Sequence, residues 1–115
     1  MSDNRRAKRK STQEAIEVID TMTERPIGRV GNMSETGMML FATQQLPDDA
    51  LYQISFVLPD DHGRGRPIEI GAHHLWTDAA NTPGQFWAGM RFIDISPEDA
   101  ARLRAWIDRP GGQYV

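Results

Sequence analysis

Three stretches of the chain share one pattern, apolar and polar residues alternating with a period of two, and this pattern restricts the fold more than any other feature. Leu51 to Leu58 sets Tyr52, Ile54, Phe56 and Leu58 against Gln53 and Ser55, broken only by Val57. Ile68 to Trp76 puts Ile68, Ile70, Ala72, His74 and Trp76 on one side. Gln85 to Ile93 repeats the arrangement with Phe86, Ala88, Met90 and Phe92. Successive side chains of a strand point to opposite faces, so each stretch reads as a strand with one face toward a core.

Turn chemistry separates these strands. The loop from Pro59 to Pro67, with Asp60, Asp61, His62, Gly63 and Arg64 inside it, has breakers at both ends, and Thr77 to Gly84 contains Asn81, Pro83 and Gly84. Earlier, Leu46-Pro47-Asp48-Asp49 makes a turn after Met38-Met39-Leu40-Phe41-Ala42, a run apolar on both faces, as in a strand crossing the core of a small barrel. Ile27 to Gly31 is a short strand after the turn Thr23-Glu24-Arg25-Pro26, where Pro26 disfavours a helix at Arg25. Ser11 to Met22 carries two patterns. Ser11-x-x-Glu14 looks like a helix capping box, but Ile16, Val18, Ile19, Thr21 and Thr23 form a β-branched cluster, and a strand is the reading adopted.

The chain closes differently. Ser96-Pro97-Glu98-Asp99 is a helix start, with Ser96 as cap, Pro97 in the first turn and two acids near the positive end of the helix dipole. Ala100, Leu103, Trp106 and Ile107 form the apolar stripe of a helix to about Arg109, and Pro110-Gly111-Gly112 stops it. Leu103 and Ile107 are expected to cover an open barrel end; Trp106 fits that role or a subunit contact. About six short strands followed by one helix make a β-dominated fold, a small barrel or rolled sheet with a C-terminal helix.

At 115 residues the chain suits one domain that buries about two thirds of its unfolded surface. With no cysteine there is no disulfide framework and no thiolate metal site, which fits a reducing cytosol. No apolar run approaches the roughly 18 residues of a membrane span, and the basic start leads into Ser-Thr-Gln-Glu. The expectation is a soluble, cytoplasmic protein without membrane insertion. The net charge of −3 joins unlike parts: residues 1–10 hold five cations against Asp3, a formal +4, on a body carrying −7. Such a body repels a nucleic-acid backbone, which argues against DNA or RNA and for a small anion held by the arm.

Two short motifs point to that anion. Arg5-Arg6-Ala7-Lys8-Arg9-Lys10 taken alone is the kind of run that ordinarily forms a solvated tail. Asn32-Met33-Ser34-Glu35-Thr36-Gly37 lies between two strands, where Asn and Ser bond across a turn and Gly allows a positive φ or the close approach of another group. Together, Arg5-x-x-x-Arg9 and Asn32-x-Ser34-x-x-Gly37 resemble the paired signature of the PilZ domain family, whose members bind the bacterial second messenger cyclic di-GMP. Gly89-x-x-Phe92 with Ile93-Asp94-Ile95 also resembles the closing strand of that family. The resemblance covers nearly the whole chain. It implies a six-stranded antiparallel β-barrel with a C-terminal helix over 11–109, a flexible basic arm at 1–10 and a tail at 110–115.

By this resemblance Arg5 and Arg9 clamp the phosphates and guanines of cyclic di-GMP, Asn32 and Ser34 hydrogen-bond it, and Gly37 gives it room. Arg6 and Lys10 share the spacing and are the alternative clamp, Lys10 being the poorer fork. Asn32 stands where the family often has Asp, which removes one anion near the phosphates. The implied function is a non-enzymatic receptor without cofactor, monomer or homodimer, whose arm closes over the ligand and presents an altered surface to a downstream protein. The alternative is a ligand-independent adaptor of the same fold. A hydrolase built on Asp60, Asp61, His62 or His73 is not favoured, because neither a Ser-His-Asp arrangement nor metal-ligand spacing is present. His73 and His74 point to opposite faces of a strand and cannot share one ion, so one is expected at the surface and one packed inside.

Overall fold

The computed structural model describes residues 7–12, 14–59, 65–110 and 113–115. Arg5 and Arg6 of the arm and Asp60, Asp61 and His62 of the hairpin loop lie outside the described residues. The described elements, in chain order, are β1 (Lys10–Ser11), β2 (Glu17–Asp20), β3 (Arg25–Met33), β4 (Gly37–Ala42), β5 (Leu51–Val57), β6 (Pro67–Ala79), β7 (Phe86–Ile95), α1 (Pro97–Asp108) and β8 (Gln113–Tyr114).

Six of these strands close a barrel. Neighbours run β2, β5, β6, β7, β4, β3, and β3 returns to β2, each pairing antiparallel. This is the six-stranded antiparallel barrel with one C-terminal helix that the resemblance implied. The alternation explains the interior: Ile54, Phe56, Ile68, Ile70, Ala72, Ala88, Met90, Met38 and Leu40 are all buried. Each large apolar side chain sealed in this way stabilises the fold by about 1.5–3 kcal/mol.

Helix α1 caps one end. Ser96 Oγ accepts a hydrogen bond from the Asp99 N–H at 3.1 Å, and Leu103, Trp106 and Ile107 are buried in the core cluster. Trp106 is therefore part of the cover, at 4 % exposure.

Three local differences from the sequence reading shape the surface. The short strand expected at Ile27 to Gly31 is nine residues long and runs through Asn32 and Met33, so one edge of β3 holds two partners. β2 takes Arg25 to Arg29, and β1 takes Asn32 and Met33. Ser11 to Met22 is accordingly two strands. Ser11 pairs with Asn32 and Glu17 with Arg29, while Thr12 and Ile16 stay bonded to Gly31 and Val30, so the chain bows away from β3 at Glu14 and Ala15, both exposed. Finally, Trp76 was expected inside, but the register shifts between His74 and Trp76, and this bulge turns its ring outward across Gly89 at 41 % exposure.

Candidate functional site

The site is built on the alternation of the strand that carries the arm. In β1 and the residues before it, neighbouring side chains leave on opposite faces. Lys10 goes inward and is 6 % exposed, with Nζ donating to the carbonyls of Trp106 at 2.7 Å and Arg109 at 3.3 Å. It also lies 4.7 Å from the centroid of the Trp106 ring. The last turn of α1 contains no basic residue of its own, so this distant ammonium satisfies the negative end of the helix. Burial lowers the Lys10 pKa, the Arg109 charge acts in the same direction, and Glu14 opposes them. The Lys10 ammonium is thus committed to the helix end.

Arg9 takes the other face. Its Nη1 donates to Asn32 Oδ1 at 2.7 Å, which joins the two motifs across 23 residues of chain. Partial burial lowers the Arg9 pKa, although a guanidinium stays charged at any ordinary pH. Backbone bonds hold the arm in place: β1 pairs with β3 and β8, and the Val115 N–H donates to the Arg9 carbonyl at 2.9 Å. Lys8 pairs with Asp108 at 2.8 Å and stands over the Tyr114 ring.

Asn32 is the last polar residue before a tight connection from β3 to β4. The Ser34 N–H donates to the Gly37 carbonyl at 2.8 Å, and Ser34 Oγ accepts from the Thr36 N–H at 3.1 Å. Ser34 is 1 % exposed, with its hydroxyl also within 3.1 Å of Thr36 Oγ1, so it is engaged inside the turn. Both of these partners lie within the turn itself. At Gly37 the missing Cβ lets the Met90 carbonyl of β7 approach the backbone closely. The motif is divided: Asn32 faces the arm, while Ser34 and Gly37 set the turn that aims it. Glu35, at the tip of that turn, pairs with Arg104 of α1 at 3.5 Å.

The histidines separate as the alternation requires. His74 is fully buried, with Nδ1 2.6 Å from the Pro47 carbonyl and Nε2 2.6 Å from Thr77 Oγ1. His73 is partly exposed and pairs with Asp49 at 2.5 Å. Among the described residues no group of His, Asp and Glu is arranged to hold a metal ion, and no helix is long and apolar enough to cross a membrane.

Sequence reasoning missed the outer wall beside Asn32. Phe41 of β4 and Trp87 of β7 pack with centroids 4.7 Å apart and planes inclined by 54°, and Arg29 of β3 lies over Phe41 at 5.2 Å. The available signal was the run from Met38 to Ala42, apolar on both faces: Met38, Leu40 and Ala42 fill the core while Phe41 joins this wall.

A family model described as the PilZ domain matches residues 3–109. Among curated proteins none matches the chain. Among solved structures, the chain is similar to the inhibitor of motility from Bacillus subtilis (MotI/DgrA), with a TM-score of 0.75 and 18 % identity, over 94 % of this chain and 51 % of that one. The chain thus spans about half the length of that protein, and the likeness is one of fold.

Proposed function

The chain belongs to the PilZ domain family, and on that premise we propose that it is a bacterial receptor for cyclic di-GMP, whose arm closes over the ligand beside Asn32. The bond of 2.7 Å between Arg9 and Asn32 carries this reading, because the pairing of β1 with β3 sets the two motifs side by side and this bond joins their polar side chains. A guanidinium has five donors in a planar fork, and the bond to Asn32 uses one of them. The others suit phosphate oxygens or the O6 and N7 edge of guanine. Arg5, four residues before Arg9, supplies the second fork. Ser34 and Gly37 act through the turn rather than by touching the ligand.

The same strand links ligand to output. Arg9 faces the site while Lys8 and Lys10 hold Asp108 and the carbonyls at the end of α1, so a shift of the arm moves both. The surface formed by the helix end and β8 is then what a partner protein reads. Ordering an arm residue costs about 1–2 kcal/mol, while a charge-assisted hydrogen bond returns about 1.5–3 kcal/mol. Near balance makes binding sensitive to single arginines, as a switch requires. Isothermal titration of the whole chain with cyclic di-GMP is the test. Saturable heat in the micromolar range is expected, and its absence at about 100 µM ligand overturns the proposal in favour of a ligand-independent adaptor.

A further inference from the structure

The bow at Glu14 and Ala15 leaves a recess of about 390 Å³ between itself and the outer wall of the barrel. Thr12 and Glu14 line it from this segment, Arg29 and Gly31 from β3, and Phe41 and Trp87 from the neighbouring strands. The volume lies within the range of about 300–1,000 Å³ typical of small-molecule sites. Gly31 contributes to its shape, because a Cβ there would stand 3.0 Å from Cζ3 of Trp87 and press on the indole where it lies across β3. Gly31 also immediately precedes Asn32, which puts the recess about 3.8 Å of chain from the Arg9 bond.

Its chemistry is unlike that of a phosphate site. Glu14 would repel a phosphate, yet it shares the recess with Arg29, and among the described residues neither makes an ion pair. One acceptor-only group, one donor-only fork and an aromatic wall form a set that matches a flat heterocycle with donors on one edge and acceptors on the next. Guanine has that edge: N1–H and the exocyclic amine donate, while O6 and N7 accept. Adenine reverses the pattern at position 6, and a pyrimidine offers less surface to stack.

We propose that this recess binds one guanine of the ligand, Glu14 accepting from N1–H and the 2-amino group, Arg29 donating to O6 and N7, and Trp87 providing the stacking wall. This inference rests on the receptor reading above and adds a base-specific contact to it. The two bases of cyclic di-GMP are then treated unequally: one sits in the recess, and the other stays with the arm.

Titration of the wild type and of Glu14→Ala with cyclic di-GMP and with its di-inosine analogue, which lacks only the 2-amino groups, decides the matter. The wild type is expected to prefer cyclic di-GMP by about tenfold or more, and Glu14→Ala to weaken cyclic di-GMP by about 10- to 100-fold while erasing that preference. The sign is diagnostic, because removing an anion near two phosphates would by itself tighten binding. Glu14 is exposed, so the variant should fold, and an unchanged thermal midpoint verifies this. Trp87→Ala is expected to weaken both ligands equally, as lost stacking should. A wild type that binds cyclic di-GMP beside a Glu14→Ala that binds both ligands as the wild type does, or more tightly, overturns the recess alone. A wild type that binds neither overturns the receptor reading and this inference with it.

Discussion

Arg9 and Lys10 are adjacent cations on one strand, and their fates are opposite. Arg9 is half-buried against Asn32 on the face proposed to hold the ligand, whereas Lys10 is sealed under α1 with its ammonium on two backbone carbonyls. The difference arises from the period of two alone, since β1 pairs with β3 and each successive side chain must change face. A basic run therefore need not act as a single patch of charge. Here one residue belongs to recognition and the next to the fold.

Substitutions that separate binding from stability test this division. Lys10→Ala is expected to have the largest effect, a loss of about 2–3 kcal/mol of unfolding free energy in denaturant, because two carbonyls of a buried helix end lose their donor. Lys10→Met keeps the stem over Trp106 and should lose less. If Lys10→Ala unfolds at the wild-type midpoint, the two faces are not distinct. Arg9→Ala is next: cyclic di-GMP affinity should fall by about 2–3 kcal/mol, about 30- to 150-fold by titration, with the thermal midpoint nearly unchanged. A large drop in that midpoint would mean that Arg9 also belongs to the fold. Ser34→Ala should cost about 1 kcal/mol of stability, the worth of one neutral hydrogen bond, and weaken binding less than Arg9→Ala does, because its hydroxyl serves the turn. Lys8→Ala should change least, its pair with Asp108 being exposed on both sides, and whatever loss of affinity it shows should vanish in high salt. Equal and fully screened losses for Lys8 and Arg9 would show an arm that attracts anions without recognising one.

The barrel was legible because its strands alternate, and the site was legible only where a motif residue faces outward. Leu51 to Val57 shows the first case, since every second residue from Tyr52 onward turns toward the core. Trp76 shows where the pattern breaks, because a bulge leaves no mark in a sequence until the partner strand is known. Lys10 was read as a poorer ligand clamp; what fixes it is a helix end 96 residues away, and no local pattern encodes that. β8 went unread for a similar reason: Gln113 and Tyr114 are too few to show a period, and β1 recruits them. The recess was illegible because it comes from a mismatch in length between two segments that pair with one strand, a property of neither segment alone.

The double pairing of β2 has a consequence for how the chain acquires its structure. Ile19 and Asp20 pair with Pro26 and Arg25 on one edge and with Ser55 and Ile54 on the other. The first partnership is a hairpin available as soon as the segment exists, but the second must wait until β5 has been made and brought back. Between these events β2 is an open edge able to pair with other chains, and closing the loop to β5 carries an entropic cost that local contacts cannot offset early. The seam should therefore form late in folding, and the amides of Ile19 and Asp20 should report the opening of the whole barrel when hydrogen exchange is followed residue by residue.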